Sequence, residues 1–547
     1  MKTKLLIRVG FSVCFGFIYY FYLASVLEAA FSELRPLRIA ISVSSVVVIF
    51  ILTYILPLYS NKDVMSASRD KIIAQEHSVP AYYLSNDLKG FIIGESDGKY
   101  VTIPFEESPE HMLEFGSPGT GKTNSVKSTM IANFNIVDST QRFHAVFAVD
   151  VKPELSLFTV YEDRGDVRII NPSKIGTWGF DPFFELSPDC SDDELKSRCI
   201  LISQSLIQDS GDAKGRYFTD NARKILNAAL MYGFRLGFSL AESIVYLIDV
   251  TADNLIPEIL ESSEMENHPK IKGLVRAFAN KTSEGFQDIV MTLERDLDIF
   301  QVESVKNCFS KNNPKRVTPH DLVEGISVFL AIPDHKLVEY APIFRLLLTL
   351  TMNYLTSIPA NKKYFERPIW ILVDEAGSIG AIPQLEEVLA RGRSRGIQVT
   401  LICQSFFQLE KTYGHDGAQI ILDCCKTTLV LSCSNTETAK MLSEWCGEYR
   451  ETKISNTTRN NGSVIKISDS VNESVEYRPI LSVADIKALE GDGKVLVFVK
   501  GNWFMISSLP YYKIKRLKKL SEQIVAHNIS LDANDEDKDN HFEATEK

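Results

Sequence analysis

The sequence lacks the cysteine and histidine patterns that hold zinc or form a disulfide framework. Its nine cysteines are scattered, with no C-x-x-C pair and no histidine partners at zinc spacing. An odd number of isolated cysteines is typical of reduced, buried thiols in a cytoplasmic protein. We therefore expect neither a zinc site nor a catalytic cysteine.

An excess of basic residues is also missing, because the formal net charge is -11 over 547 residues. Part of this charge lies in residues 532–547, where seven acids stand against two lysines. This balance excludes a surface that is basic throughout, so any contact with nucleic acid must be local. A hydrophobic content of 45% excludes a disordered or fibrous protein and allows more than one domain.

Two long uncharged runs stand near the N-terminus, one between Arg8 and Glu28 and one from Ile39 to Ser60. Each is long enough to cross a hydrocarbon core of about 30 Å as a helix. A cleaved signal peptide would explain the first run but not the second. Basic residues before the first run and after the second favour both ends on the inner side. We predict a transmembrane hairpin in residues 1–61, with a buried core hairpin as the alternative.

A glycine-rich loop fits the pattern G-x-x-x-x-G-K-[ST] that surrounds the phosphates of a nucleoside triphosphate. A short strand, Met112–Phe115, is expected before it and a helix, Ser125–Phe134, after it. Backbone amides would surround the phosphates, the lysine would neutralise the β and γ oxygens, and the last threonine would offer a hydroxyl to Mg²⁺. We therefore predict ATP and Mg²⁺ as ligands of Gly116, Ser117, Pro118, Gly119, Thr120, Gly121, Lys122 and Thr123.

An apolar run at 369–373 ends in two carboxylates, Asp374 and Glu375, which is the pattern called Walker B. Asp374 is expected to hold Mg²⁺ through water, and Glu375 to polarise the water that attacks the γ-phosphate. The next apolar run delivers Gln404 at its carboxyl end, where an amide can sense the γ-phosphate or orient water. Helix capping is the alternative for Gln404. These residues predict an ATPase.

Three arginines, Arg391, Arg393 and Arg395, fall within five residues. Guanidinium groups of this kind act as fingers at the γ-phosphate of a neighbouring subunit, or contact DNA phosphates in a pore. A solvated turn is the remaining interpretation, and the sequence does not choose among the arginines.

Short apolar runs between turn residues predict a parallel sheet that is covered on both faces, hence an α/β fold. From about Phe184 to Asp321 only helix signals remain, which indicates an inserted all-α domain; there Thr219 is expected to cap a helix that ends before Gly237. After Lys519 the chain becomes polar and acidic, which predicts a flexible tail. The predicted strands are 145–149, 167–170, 326–332, 369–373, 399–403, 428–431 and 495–499.

Several short motifs lie around and after Asp374. They are Ile371–Gly380, Ile382-Pro383, Gly392–Ile397, Cys403-Gln404-Ser405, Gln408-Leu409 and Tyr413-Gly414. Together they resemble the type IV secretion coupling proteins, which include the TraG and TraD conjugation ATPases. The resemblance extends with gaps from the hairpin to about Tyr512. It implies a two-helix membrane anchor, a RecA-like motor domain, an inserted all-α domain, and a hexameric ring with ATP sites between subunits.

The resemblance assigns residues to roles. It makes 116–123 the Walker A loop, Asp374 and Glu375 Walker B, and Gln404 part of a Gln-Ser motif. Asp150, Lys152 and Glu154 stand where the family has Asp-Pro-Lys-Gly-Glu-Leu, which implies a nucleotide contact for Asp150. Val151 and Pro153 depart from that motif, and Phe180-Asp181-Pro182 replaces the family's Asn-Pro. Arg142 is a further candidate for an arginine at the subunit interface.

The domain organisation follows from these signals. We expect the hairpin in 1–61, the nucleotide-binding domain in 62–184 and 322–519, the all-α insert in 185–321, and an acidic tail in 520–547. The tail either binds a basic accessory factor or only solvates the chain. The basic stretch at 513–519 suits a nucleic-acid or lipid contact, or an amphipathic helix.

The favoured function is a multi-pass protein of the bacterial inner membrane, with most of its chain in the cytoplasm. It would form a homo-hexameric ATPase that passes relaxase-bound single-stranded DNA to the inner-membrane components of a type IV secretion channel. Protein effectors are the alternative cargo. A nonhydrolytic docking receptor and a translocase of the FtsK or HerA kind are the other hypotheses.

Overall fold

The computed structural model describes residues 69–70, 72–105, 110–136, 142–209, 213–279, 285–359, 365–456 and 471–545. The predicted transmembrane hairpin, residues 1–61, lies outside these ranges. Within them, no helix is both long enough and apolar enough to span a bilayer.

The chain divides into two compact units. The smaller unit combines Met1–Ser78 with Tyr449–Ile480 and contains most of a two-stranded sheet. Its strands are β13 (Glu448–Asn456) and β14 (Val471–Pro479). In this unit Arg478 pairs with Glu451, with Nε and Oε2 at 2.7 Å.

The larger unit, Val79–Glu448 with Leu481–Lys547, is built on a sheet of twelve strands. In chain order these are β1 (Leu84–Ser85), β2 (Phe91–Ser96), β3 (Lys99–Ile103), β4 (His111–Phe115), β5 (Ala145–Val151), β6 (Val167–Ile170), β9 (Ser327–Ile332), β10 (Ile369–Val373), β11 (Ile397–Cys403), β12 (Cys425–Val430), β15 (Lys494–Val499) and β16 (Asn502–Ser507). A separate short pair joins β7 (Gly179–Phe180) to β8 (Arg316–Val317).

Parallel strands form the centre of the large sheet, in the order β12-β4-β11-β10-β5-β9-β6. Strands β4, β10 and β11 are buried along their whole length, as expected of strands in a parallel sheet that is covered on both faces. The predicted strands are all present, but 495–499 is β15 and runs antiparallel to β12. The antiparallel extension β15-β16-β2-β3-β1 was not predicted, apart from β15 itself.

Helices cover this sheet and build the insert. Those around the sheet are α1 (Lys122–Ile131), α2 (Glu154–Thr159), α10 (Leu337–Ser357), α11 (Leu385–Arg395), α12 (Phe406–Cys424), α13 (Thr436–Trp445), α14 (Val483–Ala488) and α15 (Lys515–Thr545). Those between β7 and β9 are α3 (Asp192–Leu206), α4 (Ala213–Arg235), α5 (Leu240–Glu261), α6 (Pro269–Val275), α7 (Gly285–Leu297), α8 (Glu303–Cys308) and α9 (Pro319–Val323).

The insert is helical between its two ends, as predicted, and β7 pairs with β8 where the chain leaves the sheet and returns. The predicted cap at Thr219 is wrong, because α4 begins at Ala213. Thr219 therefore lies inside the helix, where its hydroxyl donates to the carbonyl of Arg216 at 3.1 Å.

The predicted flexible tail is also wrong for the described part of 520–547, which continues helix α15. Leu517, Ser521, Ile524 and Asn528 recur at helical spacing and are buried. The side-chain amide of Asn528 donates to the carbonyl of Val160 at 2.9 Å. Residues 515–519 of the basic stretch thus lie in the amphipathic helix that was one of its interpretations, and Lys513 ends a short 3-10 helix just before it.

Candidate nucleotide site

The glycine-rich loop lies at the carboxyl edge of the parallel strands, between β4 and α1. Gly119 and Gly121 have φ angles of +86° and +87°, in the left-handed region that favours glycine. These two residues turn the chain so that α1 begins at Lys122, with Thr123 as its second residue. The first turn of a helix leaves its backbone amides without helical acceptors, so this turn is suited to an anion.

Two serines after β12 hold the loop from the other side. The backbone amide of Ser117 donates to the hydroxyl of Ser432 at 2.7 Å, and the hydroxyl of Ser117 donates to that of Ser434 at 3.3 Å. Sequence reasoning missed both serines, since nothing in a short polar segment marks it as a neighbour of a loop more than 300 residues away.

Lys122 lies between the two halves of the predicted site. Its Nζ donates to the carbonyl of Gly116 at 2.8 Å and lies 3.4 Å from Oε1 of Glu375. The lysine is buried, whereas Glu375 retains some solvent contact. The structure therefore brings the Walker A lysine and the Walker B glutamate together, because β4 and β10 flank β11 and end at the same edge.

The acid pair adopts a constrained backbone. Glu375 has a φ of +51°, a conformation that non-glycine residues rarely adopt and that is concentrated at functional sites. Its amide donates to Oδ1 of Asp374 at 2.9 Å. Asp374 is buried, and burial first, then the charge of Glu375, raises its pKa to about 7, while Lys122 acts in the opposite direction.

A third acid, Glu114, lies just before the glycine-rich loop in the chain, and it was not predicted from the sequence as part of the site. It lies within β4 and is fully buried, with the hydroxyl of Ser125 at 3.4 Å. Burial first, then the charge of Asp374, raises the pKa of Glu114 to about 8. A carboxylate in an otherwise apolar strand was the available signal, because a buried acid requires a specific partner.

Gln404 follows β11 and reaches the same centre. Its Nε2 lies 3.5 Å from Oε2 of Glu375, and its backbone amide donates to Oε1 of Gln408 at 3.0 Å. Helix capping is performed by Ser405 instead, whose hydroxyl accepts from the amide of Gln408 at 3.4 Å. Gln408 also packs where a Cβ on Gly377 would stand, so it links the two loops.

Asp150 has a structural role in addition to the one predicted. One carboxylate oxygen accepts from the amide of Leu155 at 2.8 Å, and the other accepts from the amide and hydroxyl of Ser156 at 2.8 and 2.6 Å. The aspartate thereby holds the start of α2. Burial raises its pKa to about 6, against these hydrogen bonds. The predicted nucleotide contact of Asp150 stays a prediction.

Lys152 and Arg142 make their contacts outside the glycine-rich loop. Lys152 has a φ of +74°, and its exposed ammonium lies 3.6 Å from Asp334. Arg142 is buried against the ring of Phe134, 5.0 Å from its centroid, and forms an ion pair with Asp166. Desolvation lowers the pKa of Arg142 to about 9. In this conformation Arg142 faces the interior of its own chain rather than a neighbour.

The three arginines lie on α11, not in a turn, and at the amino edge of the parallel strands. The side chains of Arg391 and Arg393 are each 63% exposed; Arg391 pairs with Glu387 at 2.6 Å and Arg393 with Glu110 at 3.3 Å. Arg395 instead donates through Nε to the carbonyl of Ile358 at 3.0 Å. The structure does not bring these arginines to the P-loop of the same chain.

The residues at the carboxyl edge fit a Mg²⁺-bound triphosphate. Two buried carboxyls with raised pKa values lie near one lysine, an arrangement that a divalent cation would stabilise. Among the described residues, no group of three or more Asp, Glu, His or Cys side chains could hold a metal by itself. Phosphate, hydroxyl and water oxygens would supply the other ligands, as is usual for Mg²⁺.

The parallel sheet, the glycine-rich loop and the adjacent acid pair define a P-loop nucleotide-binding protein with a motor-type fold. A sequence model of the family "Type IV secretory system Conjugative DNA transfer" matches residues 60–534. The chain belongs to this family, and the resemblance to type IV coupling proteins is confirmed.

Individual relatives agree with this assignment. The type IV secretion system-coupling protein VirD4 of Bartonella quintana is 24% identical over 383 residues, which are 68% of this chain and 58% of VirD4. The coupling protein TraD of Escherichia coli K12 is 24% identical over 186 residues, 33% of this chain and 26% of TraD. The plasmid coupling protein TrwB, solved with a non-hydrolysable ATP analogue, aligns with a TM-score of 0.58 at 17% identity, covering 80% of this chain and 93% of TrwB. That likeness shows the α/β nucleotide-binding motor fold.

Proposed function

We propose that this protein is a membrane-anchored, hexameric ATPase that recruits relaxase-bound single-stranded DNA and drives it into a type IV secretion channel. The observation that carries the proposal is the convergence of Lys122, Glu375 and Gln404, with contacts of 3.4 and 3.5 Å. Membership of a conjugative DNA transfer family supports the DNA cargo. The TrwB structures with an ATP analogue and with ADP and Mg²⁺ support the ligands.

The residues of the site have distinct tasks in hydrolysis. When ATP binds, Lys122 gives up its contact with Gly116 and contacts the β and γ oxygens of the triphosphate. The backbone amides of the loop bind the phosphates. Thr123 and Asp374 would hold Mg²⁺, which neutralises charge on the phosphate oxygens when bound. Glu375 polarises the attacking water, and the amide of Gln404, next to its Oε2, helps to orient that water.

The exposed arginines support a ring in which each active site is shared. Arg391 and Arg393 point away from their own P-loop, so in a ring they can reach the γ-phosphate bound to a neighbour. Hydrolysis at one interface would then shift the adjacent subunit. Basic groups in the pore would move the DNA through its phosphates rather than its bases. Residues 1–61 would anchor the ring in the inner membrane beside the channel components.

The direct test measures ATP hydrolysis by the full-length chain in detergent, with and without single-stranded DNA, over a range of salt concentrations. We expect DNA to stimulate hydrolysis and the stimulation to weaken as salt rises, because phosphate contacts release counterions. Indifference to DNA, with stimulation by a secreted protein instead, would establish protein effectors as the cargo.

The variant Glu375→Gln separates a motor from a docking receptor. It keeps the size of the side chain and removes the carboxylate, so ATP should still bind while hydrolysis falls by about 10² or more. Glu444→Gln, at an exposed glutamate of α13, is the matched control. If DNA transfer in cells continues with Glu375→Gln, nucleotide serves only to assemble the protein.

A further inference from the structure

The loop after the Walker B pair is held by side chains rather than by regular secondary structure. Residues Ile379–Ile382 form neither helix nor strand. The hydroxyl of Tyr413, on α12, accepts from the amide of Ile382 at 3.2 Å. Arg345 and Gln208 also hold this loop, and they connect it to the helical insert.

Arg345 contacts the insert and the loop with one guanidinium group. It is buried on α10 and donates through Nη1 to the carbonyl of Ile379 at 2.6 Å. Through Nε and Nη2 it donates to the carbonyls of Ser205 and Leu206, at 2.9 and 3.4 Å. These two carbonyls belong to the last turn of α3, where the helix dipole favours a cation.

Gln208 makes a second link from the insert. It lies just beyond α3, and its Nε2 donates to the carbonyl of Ala381 at 2.7 Å. A Cβ added to Gly380 would overlap Gln208 and lie 3.2 Å from Nη1 of Arg345. The loop is therefore pressed against both side chains and cannot move independently of them.

Two open cavities flank the place where the insert contacts the domain that carries the P-loop. One has a volume of about 990 Å³ and is bordered by Gln208, Ile382 and Tyr413. The other, of about 550 Å³, is bordered by Gln208, Glu339 and Arg345. Gaps on both sides give the end of α3 room to shift, so the hydrogen bonds of Arg345 and Gln208 are the means by which such a shift reaches the loop.

We propose that Arg345 and Gln208 are positioning residues that connect the helical insert to the Walker B strand. A displacement of the end of α3 moves Ile379 and Ala381, which lie four and six residues beyond Glu375, and thereby changes the rate of hydrolysis. The inference rests on the proposed ATPase function and adds to it a route by which a movement of the insert controls the active site.

The variants Arg345→Ala and Gln208→Ala in the full-length chain test the link through steady-state hydrolysis and ATP binding. We expect kcat to fall about tenfold for Arg345→Ala and about threefold for Gln208→Ala, the size typical of residues that couple two sites. The KM and the Kd for ATP should change by less than about twofold, because the P-loop is untouched. Arg345→Lys, which keeps a cation with fewer donors, should recover part of kcat.

Matched controls distinguish positioning from a loss of stability. Arg235 is a partly buried arginine of the insert that donates to the carbonyls of Pro188 and Cys190, so Arg235→Ala disturbs the insert without reaching the loop. Gln204→Ala changes a glutamine one turn before Gln208 that lines the same large cavity. Both control variants should retain the wild-type kcat. The only change expected is a lower melting temperature. An equal loss of kcat in Arg235→Ala and Arg345→Ala would overturn the proposal.

Hydrogen exchange measured by mass spectrometry tests the link without relying on hydrolysis. Amides at 376–382 should exchange faster in Arg345→Ala and Gln208→Ala, and at the wild-type rate in Arg235→Ala. If the wild type hydrolyses no ATP, the proposed function fails, and exchange still decides whether the link exists. If the wild type hydrolyses ATP while both kcat and loop exchange are unchanged in the two variants, the link alone fails.

Discussion

The two edges of the parallel sheet differ in their charged side chains, which are mainly buried acids at one edge and exposed arginines at the other. At the carboxyl edge, Glu114 and Asp374 are buried near Lys122, and the pKa values of both carboxyls are raised. At the amino edge, the side chains of Arg391 and Arg393 are each 63% exposed. Strand β11 has seven residues, so at about 3.3 Å per residue the edges lie about 20 Å apart.

This difference indicates two kinds of binding. Buried acids around one lysine suit a small ligand that brings its own cation and excludes water. Exposed guanidinium groups suit a large anionic partner or a second subunit that approaches from outside. One chain therefore carries the P-loop and its buried acids at one edge and exposed arginines at the other.

The largest effect expected at the carboxyl edge is that of Lys122→Ala. The ammonium lies 3.4 Å from Oε1 of Glu375 and acts to lower the pKa of Asp374, so its loss leaves these acids without its neutralising charge. We expect ATP hydrolysis to fall by about 10³ and ATP binding to become undetectable at micromolar concentrations. Equilibrium binding of a fluorescent ATP analogue measures this. Retained binding of ATP by this variant would show that the backbone amides of the loop are sufficient to hold the nucleotide.

The next effect concerns the amino edge and tests whether the two edges meet between subunits. The double variant Arg391→Ala, Arg393→Ala should keep its affinity for ATP within about twofold and lose about 10²-fold in kcat, since an arginine finger acts on the transition state. Mixing this protein with Lys122→Ala should restore activity, because some interfaces then pair an intact P-loop with intact arginines.

One other outcome of this experiment has a clear meaning. If basal hydrolysis persists but the salt dependence of DNA stimulation becomes weaker, with a slope smaller by about one per arginine, these residues contact DNA phosphates. Arg395→Ala is the internal comparison, since its Nε donates to the carbonyl of Ile358 within its own chain. It should lower stability and leave catalysis of the folded protein intact.

A smaller effect is expected where Gln408 links the Gln404 and Walker B loops. In Gly377→Ala, the new Cβ overlaps the side chain of Gln408 and displaces it from the amide of Gln404. We expect kcat to fall about tenfold with little change in the Kd for ATP. Gly165→Ala is the matched control, because its Cβ would meet nothing within 4 Å. Equal activity of the two variants would show that Gln408 is free to move.

The parts of the fold that the sequence predicted share one property: their signals are local. Strands β5, β9 and β10 are nearly continuous apolar runs, and such runs in alternation with helices indicate a buried parallel sheet. The P-loop and the Walker B pair are recognisable because their spacing is set by the phosphates they bind. Their mutual contact followed from placing both at strand ends in one sheet.

The parts that were missed depend on tertiary contacts. Helix α15 continues past Lys519 because Ile524 is buried and Asn528 donates to the carbonyls of Leu157 in α2 and Val160 just after it, which composition alone does not reveal. The hairpins β2-β3 and β15-β16 pair neighbours in the chain, but the two hairpins join where Ser507 lies opposite Glu95, a residue far away in the sequence. From the sequence alone Glu114 cannot be told from a surface acid, and only the fold places it near Asp374.

The smallest effect is expected from pH, through a histidine at the amino edge. The amide of Val399 donates to Nδ1 of His111 at 3.0 Å, so Nε2 carries the proton and donates to the carbonyl of Leu389 at 2.9 Å. His111 thereby fastens α11, with its arginines, to β11. Burial first, against the hydrogen bond to Leu389, and then the charge of Arg393 lower the pKa of His111 to about 4.

Because the pKa of His111 is lower in the folded state than the ordinary value of 6.5, its contribution to stability is complete above pH 6.5. As the pH falls toward 4, the unfolded chain takes up the proton first, and the free energy of unfolding drops by about 1.4 kcal/mol per pH unit. Urea unfolding between pH 4.5 and 7.5 should show a shallower slope for His111→Gln than for the wild type. The exposed His335→Gln serves as the control. An identical slope in the wild type and in His111→Gln would mean that α11 detaches before the chain unfolds. The amino edge with its arginines would then be mobile while the carboxyl edge with the P-loop stays folded.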